Sequence, residues 1–314
     1  MKTRIKSIFV RVLVYAVVAV LTVGITTIFY TRWYVDKIYA PLKTEWNEQV
    51  GVVVKDLSYQ EGQFHDYDLY LPAEKQAHAL ILFIHGGSFT AGDKGDEDLW
   101  CKFFTSKGYI SATANYTLGG EGRETNLNMM YDELLTCVAS IKQECEERGY
   151  RLDGMATSGQ SAGGCLAMLY AYRAGNESPI PVKLVFQQTG PADFSPEGWN
   201  ITDDEGKAAF VQMMTGETVT IGDVRSGKYL EIAAQISPAS LVDNTSVPTI
   251  SAYGPSDKIV PVGLKFKLFE RLNQCGATHE YIEYPHSGHL LAGDPDKQAE
   301  FVQKSLQYCE KYLK

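Results

Sequence analysis

A serine held between two glycines, Gly159-Gln160-Ser161-Ala162-Gly163, is the stretch whose residue types offer chemistry most directly. A serine hydroxyl attacks poorly until a base takes its proton, and that base needs a third group to orient it. Both partners follow in the chain. Asp257 lies in Gly254-Pro255-Ser256-Asp257-Lys258, and His289 lies in His286-Ser287-Gly288-His289. Each comes just after an apolar run with strand character. The order serine, acid, histidine on successive strand ends is one known arrangement for acyl transfer. Taken singly, each residue has a plainer role. Gly-x-Ser-x-Gly also makes ordinary turns, an isolated Asp caps turns, and His286 competes with His289. Gly288 leaves the loop room to turn the His289 ring inward, which favours that histidine.

The glycines around Ser161 have a steric reason. A strand that reverses sharply into a helix brings backbone together two residues either side of the nucleophile, so side chains at Gly159 and Gly163 would collide. Acyl transfer also passes through an oxyanion, which needs preorganised N–H groups aimed at it. The N–H of Ala162, next after the nucleophile, is one expected donor. A second glycine-rich loop, His85-Gly86-Gly87-Ser88-Phe89, follows a buried strand and lets backbone approach closely. Its own alternative is a plain turn at Gly86-Gly87. His85 is read as bracing this loop rather than as a base, since it lies upstream of the donors.

These loops need a frame to hold them. Residues 79–84 (Ala-Leu-Ile-Leu-Phe-Ile) form a continuous apolar run, as expected of a strand buried on both faces of a parallel sheet. Residues 52–59 and 66–71 alternate around Glu61-Gly62-Gln63 and read as two antiparallel strands, the second ended by Pro72. Further strands are expected over 109–116, 182–187, 247–253 and 279–284. Helices are expected over 99–106, 127–148, 165–172, 262–275 and 297–312, with Gly149 stopping the second. Strands alternating with helices imply a mostly parallel sheet with helices on both faces. Residues 193–237 break the alternation, with helical spacing over 208–214 and 230–236. They are expected to form an inserted cap that borders the site and shapes substrate choice.

The 314 residues carry a net charge of −9, which argues against a nucleic-acid partner. Six cysteines in a chain this long are not a disulfide scaffold. Cys137 and Cys145 fall on one predicted helix, about 12 Å apart along its axis, too far for a bridge. Near the N-terminus, Lys2, Arg4, Lys6 and Arg11 precede 19 uncharged residues, 12–30. As a helix these reach roughly 30 Å, enough to span a bilayer core. The run is longer than a signal-peptide core and closes on Ile28-Phe29-Tyr30, a poor cleavage site. Tyr30, Trp33 and Tyr34 suit an interfacial belt. The expected organisation is a basic flank and single membrane anchor over 1–34, a linker or short helix over 35–50, and one domain over 51–314. The basic flank places the N-terminus in the cytoplasm and the domain outside. Asn-x-Ser/Thr matches occur at Asn115, Asn176, Asn200 and Asn244; they matter only in a host that glycosylates.

His-Gly-Gly over 85–87 with Gly-x-Ser-Ala-Gly-Gly over 159–164 resembles the α/β-hydrolase superfamily. Within it, the chain is similar to the hormone-sensitive-lipase-like esterases and the feruloyl- and acetyl-esterase group. The extension Phe89-Thr90-Ala91-Gly92-Asp93-Lys94 is similar to the latter. The resemblance spans about 52–313. It implies the α/β-hydrolase fold, with an eight-stranded, mostly parallel sheet. It also implies hydrolysis of carboxylic esters by Ser161, Asp257 and His289, and an oxyanion hole of the Gly87, Ser88 and Ala162 N–H groups. Many relatives carry a third glycine where this chain has Ser88. The chemistry asks for a small-molecule ester as partner and for no metal or cofactor, and the His and Asp positions lack zinc-site spacing. Two rivals stand beside the esterase: a serine exopeptidase, which a glutamate-lined pocket for a substrate amino terminus would favour, and a silent adhesion or scaffold protein. The acyl group, the alcohol and the oligomeric state have no readable code.

Overall fold

The computed structural model describes residues 32–33, 35–75, 78–120 and 122–314. The predicted membrane span lies outside them. Among the described residues, no helix is long and apolar enough to cross a membrane.

Eight strands form one sheet: β1 (Gly51–Ser58), β2 (Asp66–Pro72), β3 (Ala79–Ile84), β4 (Ile110–Ala114), β5 (Gly154–Gln160), β6 (Val182–Gln188), β7 (Thr249–Tyr253) and β8 (His279–Glu283). Their spatial order is β1-β2-β4-β3-β5-β6-β7-β8. β1 and β2 pair antiparallel with each other, and β2 pairs antiparallel with β4. Every other neighbouring pair is parallel. The expected eight-stranded, mostly parallel sheet with helices on both faces is therefore borne out.

β3 explains how the core divides. All six of its residues are buried, and their side chains alternate between faces as the strand's two-residue period requires. Leu80, Leu82 and Ile84 enter one cluster, while Ala79, Ile81 and Phe83 enter the other. The first cluster packs against helices α2 (Leu127–Glu147), α3 (Ala162–Arg173) and α8 (Gly263–Gln274). The second packs against α1 (Asp98–Ser106) and α9 (Pro295–Tyr312). Cys137 and Cys145 both sit on α2 as free, buried thiols. Gly149, with φ of 84°, follows the helix as its left-handed stop.

Residues 35–50 do not hang free of the domain. Leu42 is fully buried in the second cluster, with Tyr39 and Trp46 packed against that cluster. The expected cap contains α4 (Asp204–Thr215), α5 (Ile221–Ser226) and α6 (Lys228–Ala234), followed by the short α7 (Pro238–Leu241). It has its own small core of Ala208, Val211, Val219, Val224, Tyr229, Ile232 and Ala233. Of its helices, α5 was not expected. Thr220 and Asp223 form a reciprocal capping box at its start, a signal present in the sequence as Thr-x-x-Asp.

Candidate active site

Parallel register brings four strand ends level. Ile84 of β3 pairs beside Gly159 of β5, Gln160 beside Gln188 of β6, Gln188 beside Ala252 of β7, and Tyr253 beside Glu283 of β8. The loops leaving β3, β5, β7 and β8 carry His85–Phe89, Ser161, Asp257 and His289 respectively.

Ser161 sits at the turn from β5 into α3 with φ 57° and ψ −123°, a strained conformation for an L-residue. Its N–H donates to the Gln188 carbonyl at 2.8 Å and its carbonyl accepts from Cys165 N–H at 3.0 Å, so backbone on both sides fixes the turn. The glycine argument is met directly. A Cβ on Gly163 would lie 1.8 Å from the Ile84 carbonyl oxygen, and one on Gly159 would lie 2.5 Å from the same atom.

A continuous hydrogen-bond chain joins the three candidate residues. His289 Nε2 is 2.8 Å from Ser161 Oγ, and His289 Nδ1 is 2.8 Å from Asp257 Oδ2. The other Asp257 oxygen accepts from the N–H groups of Ile259 and Val260 at 2.9 and 3.0 Å. Burial raises the Asp257 carboxyl's affinity for a proton, but His289 and the two backbone donors outweigh it, holding the carboxyl below its ordinary range. His286 stands apart, with its ring exposed and paired to Asp294 at 2.8 Å. Asp294 also accepts from the Ser287 hydroxyl at 2.6 Å, which fixes the loop that carries His289.

The glycine-rich loop after β3 turns through three successive positive φ values: Gly87 (112°), Ser88 (54°) and Phe89 (62°). Gly87 and Ser88 line the same cavity as Ser161 and His289. Ala162 is the first residue of α3, so its N–H has no acceptor within the helix. His85 is fully buried and its Nδ1 lies 2.7 Å from the Gly86 carbonyl. Its ring stacks on Tyr116 at 4.4 Å, and the Tyr116 hydroxyl donates to the His85 carbonyl at 2.9 Å. Burial pulls its pKa down, which favours the neutral ring.

Several residues at the site lie beyond what the sequence alone suggested. Lys94 is buried, with its Nζ at 2.5 Å from Asp56, 2.7 Å from Asp68 and 3.1 Å from Asp66. Burial opposes its charge, yet the three carboxylates win and raise its pKa. Its backbone is pinned too: Lys94 N–H donates to Asn115 Oδ1 at 2.7 Å. The network ties the end of the glycine-rich loop to β1, β2 and β4. Asn115, a candidate glycosylation site by motif, spends its side chain here and is buried.

The cavity at Ser161 has a volume of about 320 Å³. Tyr39, Phe83, Asp96, Glu97, Trp100, Ile259 and Leu290 are among its other walls. No cap residue lines it, contrary to expectation. The cap instead borders a second cavity of about 680 Å³, to which it contributes Met213 and Met214 and the loop contributes Ser88 and Phe89. Ser88 lies on both cavities. Of the cap's helices, α4 packs against α2. Among the described residues, no group of His, Cys, Asp or Glu is arranged to hold a metal ion.

A family model described as BD-FAE matches residues 67–272, from β2 through the last turns of α8. The chain belongs to the BD-FAE family. No curated protein matches it. Among solved structures, this BD-FAE chain is similar to a truncated carbohydrate esterase from gut microbiota. The TM-score is 0.64 and the identity 17%, over 84% of this chain and 100% of that one. Esterase B from Lactobacillus rhamnosis gives 0.61 and 18%, over 92% and 93%. Native Est2 from Thermogutta terrifontis gives 0.65 and 18%, over 83% and 92%. At these identities the likeness is one of fold. Family and fold agree with the expected α/β-hydrolase esterase.

Proposed function

We propose that this BD-FAE protein is a serine carboxylic-ester hydrolase, tethered to a membrane by its N-terminal segment, with the domain outside. The observation that carries the catalytic reading is the hydrogen-bond chain from Ser161 through His289 to Asp257. Ser161 Oγ attacks the ester carbonyl while its proton passes to His289 Nε2. Asp257 accepts from Nδ1–H, which fixes the tautomer and balances the imidazolium. The oxyanion is held by the N–H groups of Gly87, Ser88 and Ala162. His289 then gives its proton to the departing alcohol, leaving Ser161 acylated. A water attacks that acyl group, passes its proton to the same ring, and the acid leaves as Ser161 recovers its hydrogen. Similar structures lend support, since an Est2 structure is described as phosphoramylated by tabun and esterase B has been solved with a tributyrin phosphonate.

The test is turnover of p-nitrophenyl acetate with labelling by a fluorophosphonate. Wild type should do both, and Ser161→Ala neither. Unchanged turnover in the variant would remove Ser161 from its role, and absence of labelling in wild type would favour a silent scaffold. The anchor rests on the uncharged run 12–30. Full-length protein found in the soluble fraction without detergent would overturn it. A serine exopeptidase is retained as a second reading because Glu97 and Asp96 line the Ser161 cavity, the feature a substrate amino terminus would need.

A further inference from the structure

We infer that the wall of the Ser161 cavity formed by Glu97, Asp96 and the neighbouring aromatic rings is a subsite for a protonated amine carried by the substrate. The inference rests on the hydrolase reading above and narrows its substrate class. Glu97 is only 8% exposed and lines the cavity together with Ser161 and His289. It stands at the N-cap of α1, but its side chain makes no capping bond, and among the described residues no side chain or backbone group donates to its carboxyl. Buried carboxyls are normally satisfied by donors, because leaving one without a partner costs free energy that a hydrogen bond would recover. The carboxyl is reached from the cavity, so a group bound there can supply its donor.

The sign of the missing partner follows from the other walls. Asp96 is a second carboxyl on the same wall, and among the described residues no Lys or Arg lines the cavity. Burial first, and Asp96 second, push the Glu97 carboxyl up to about 8, which favours its protonated form at neutral pH. A neutral hydroxyl would bond to the carboxyl but would leave two strains in place, the proton that burial forces on Glu97 and the uncompensated charge of Asp96. An ammonium group relieves both: it displaces the Glu97 proton to solvent, pairs with the carboxylate and offsets Asp96. The ring walls suit the same guest. Trp100, Phe83 and Tyr39 line the cavity, and an aromatic face attracts a desolvated cation. An anionic substrate would meet the Asp96 carboxylate and would gain nothing from ionising Glu97.

The experiment compares kcat/KM within isosteric pairs that differ only in the ammonium. In the acyl arm, p-nitrophenyl 4-aminobutyrate is set against p-nitrophenyl pentanoate. In the alcohol arm, 2-aminoethyl acetate is set against propyl acetate. In the peptide arm, alanine p-nitroanilide is set against 2-methylpropanoyl p-nitroanilide. The expected result is a preference of about tenfold or more for the ammonium partner in at least one arm, with the arm identifying the source of the amine. Glu97→Gln should bring that ratio towards one. Because a ratio is read, a general loss of activity does not imitate the effect. Should Glu97→Gln fail to fold, wild type alone decides: butylammonium should inhibit p-nitrophenyl acetate hydrolysis competitively, about tenfold more tightly than butanol. A ratio at or below one in every arm, a preference that survives Glu97→Gln, or equal inhibition by the amine and the alcohol would overturn the inference. Hydrolysis of neutral esters without ammonium preference would leave the hydrolase reading intact. Absence of all turnover and of serine labelling would defeat that reading instead.

Discussion

At Ser161, His289 and Asp257, small side chains are held by many short contacts, so each can be removed with a distinct outcome. Asp257 accepts three hydrogen bonds, one from His289 and two from backbone. Asp257→Asn keeps the shape but offers the ring an ambiguous partner, and kcat should fall by up to about 10⁴-fold, as in other serine triads. A loss of less than about tenfold would mean that Asp257 does not orient the ring. Its lowered carboxyl also contributes stability above its ordinary pKa, and that contribution is lost as pH falls through the folded value. Glu97 runs the other way. The titratable groups that share its field are Asp96, Tyr39, Cys101 and Tyr116. Its carboxyl rises from 4.5 to about 8 in the folded chain, so between those values the folded state holds a proton that the unfolded state has released. Stability therefore falls as pH rises through that window. Glu97→Gln removes the titration. Its melting temperature relative to wild type should be more favourable near pH 8 than near pH 5, by a margin worth at most roughly 4 kcal/mol. A difference independent of pH would count against a neutral, buried Glu97.

Among the elements, the turn from β5 to α3 has the least tolerance. Gly163→Ala drives a methyl to 1.8 Å from the Ile84 carbonyl oxygen, which is backbone and cannot swing away. The expected cost exceeds about 3 kcal/mol, read as a lower melting temperature or no folded protein. The Lys94 network fails differently. Lys94→Met strands Asp56, Asp66 and Asp68 without their shared cation. Stability should drop by about 2–4 kcal/mol, towards the lower side for a buried pair because Asp56 faces water. Much of the element layer was legible in the sequence. The apolar run at 79–84 is β3 residue for residue, and the spacing of Met130, Leu134, Val138 and Ile141 marks the buried face of α2. Local patterns sufficed there because burial on a sheet or helix face repeats every few residues. The Lys94 cluster was not legible. It needs Asp56, at φ 56° in an irregular stretch of β1, to meet a lysine 38 residues away, and no local pattern encodes that meeting. The helical spacing over 208–214 and 230–236 was legible too, but not that residues from 209–216 would line the second cavity rather than the one holding Ser161.

For the whole molecule, the instructive segment is the one before β1. Its residues mix charge with apolar side chains and carry no periodic signal, so nothing local announced that Leu42 would be fully buried or that Tyr39 would reach the Ser161 cavity. Leu42→Ala should destabilise the domain by about 2–5 kcal/mol in urea or thermal unfolding, as for other core leucines; a free linker would be indifferent to the change. Tyr39 also limits geometry. Only five peptide steps separate it from Tyr34, the end of the proposed anchor, and they span no more than about 18 Å. A domain of this size has a radius of gyration of roughly 19 Å. Such a tether would be too short for the domain to tumble freely, and the cavity wall at Tyr39 would be kept close to the lipid headgroups. Proteolytic shedding near residue 34 would release an enzyme with its cavity wall whole, whereas shedding near residue 50 would release one with that wall missing.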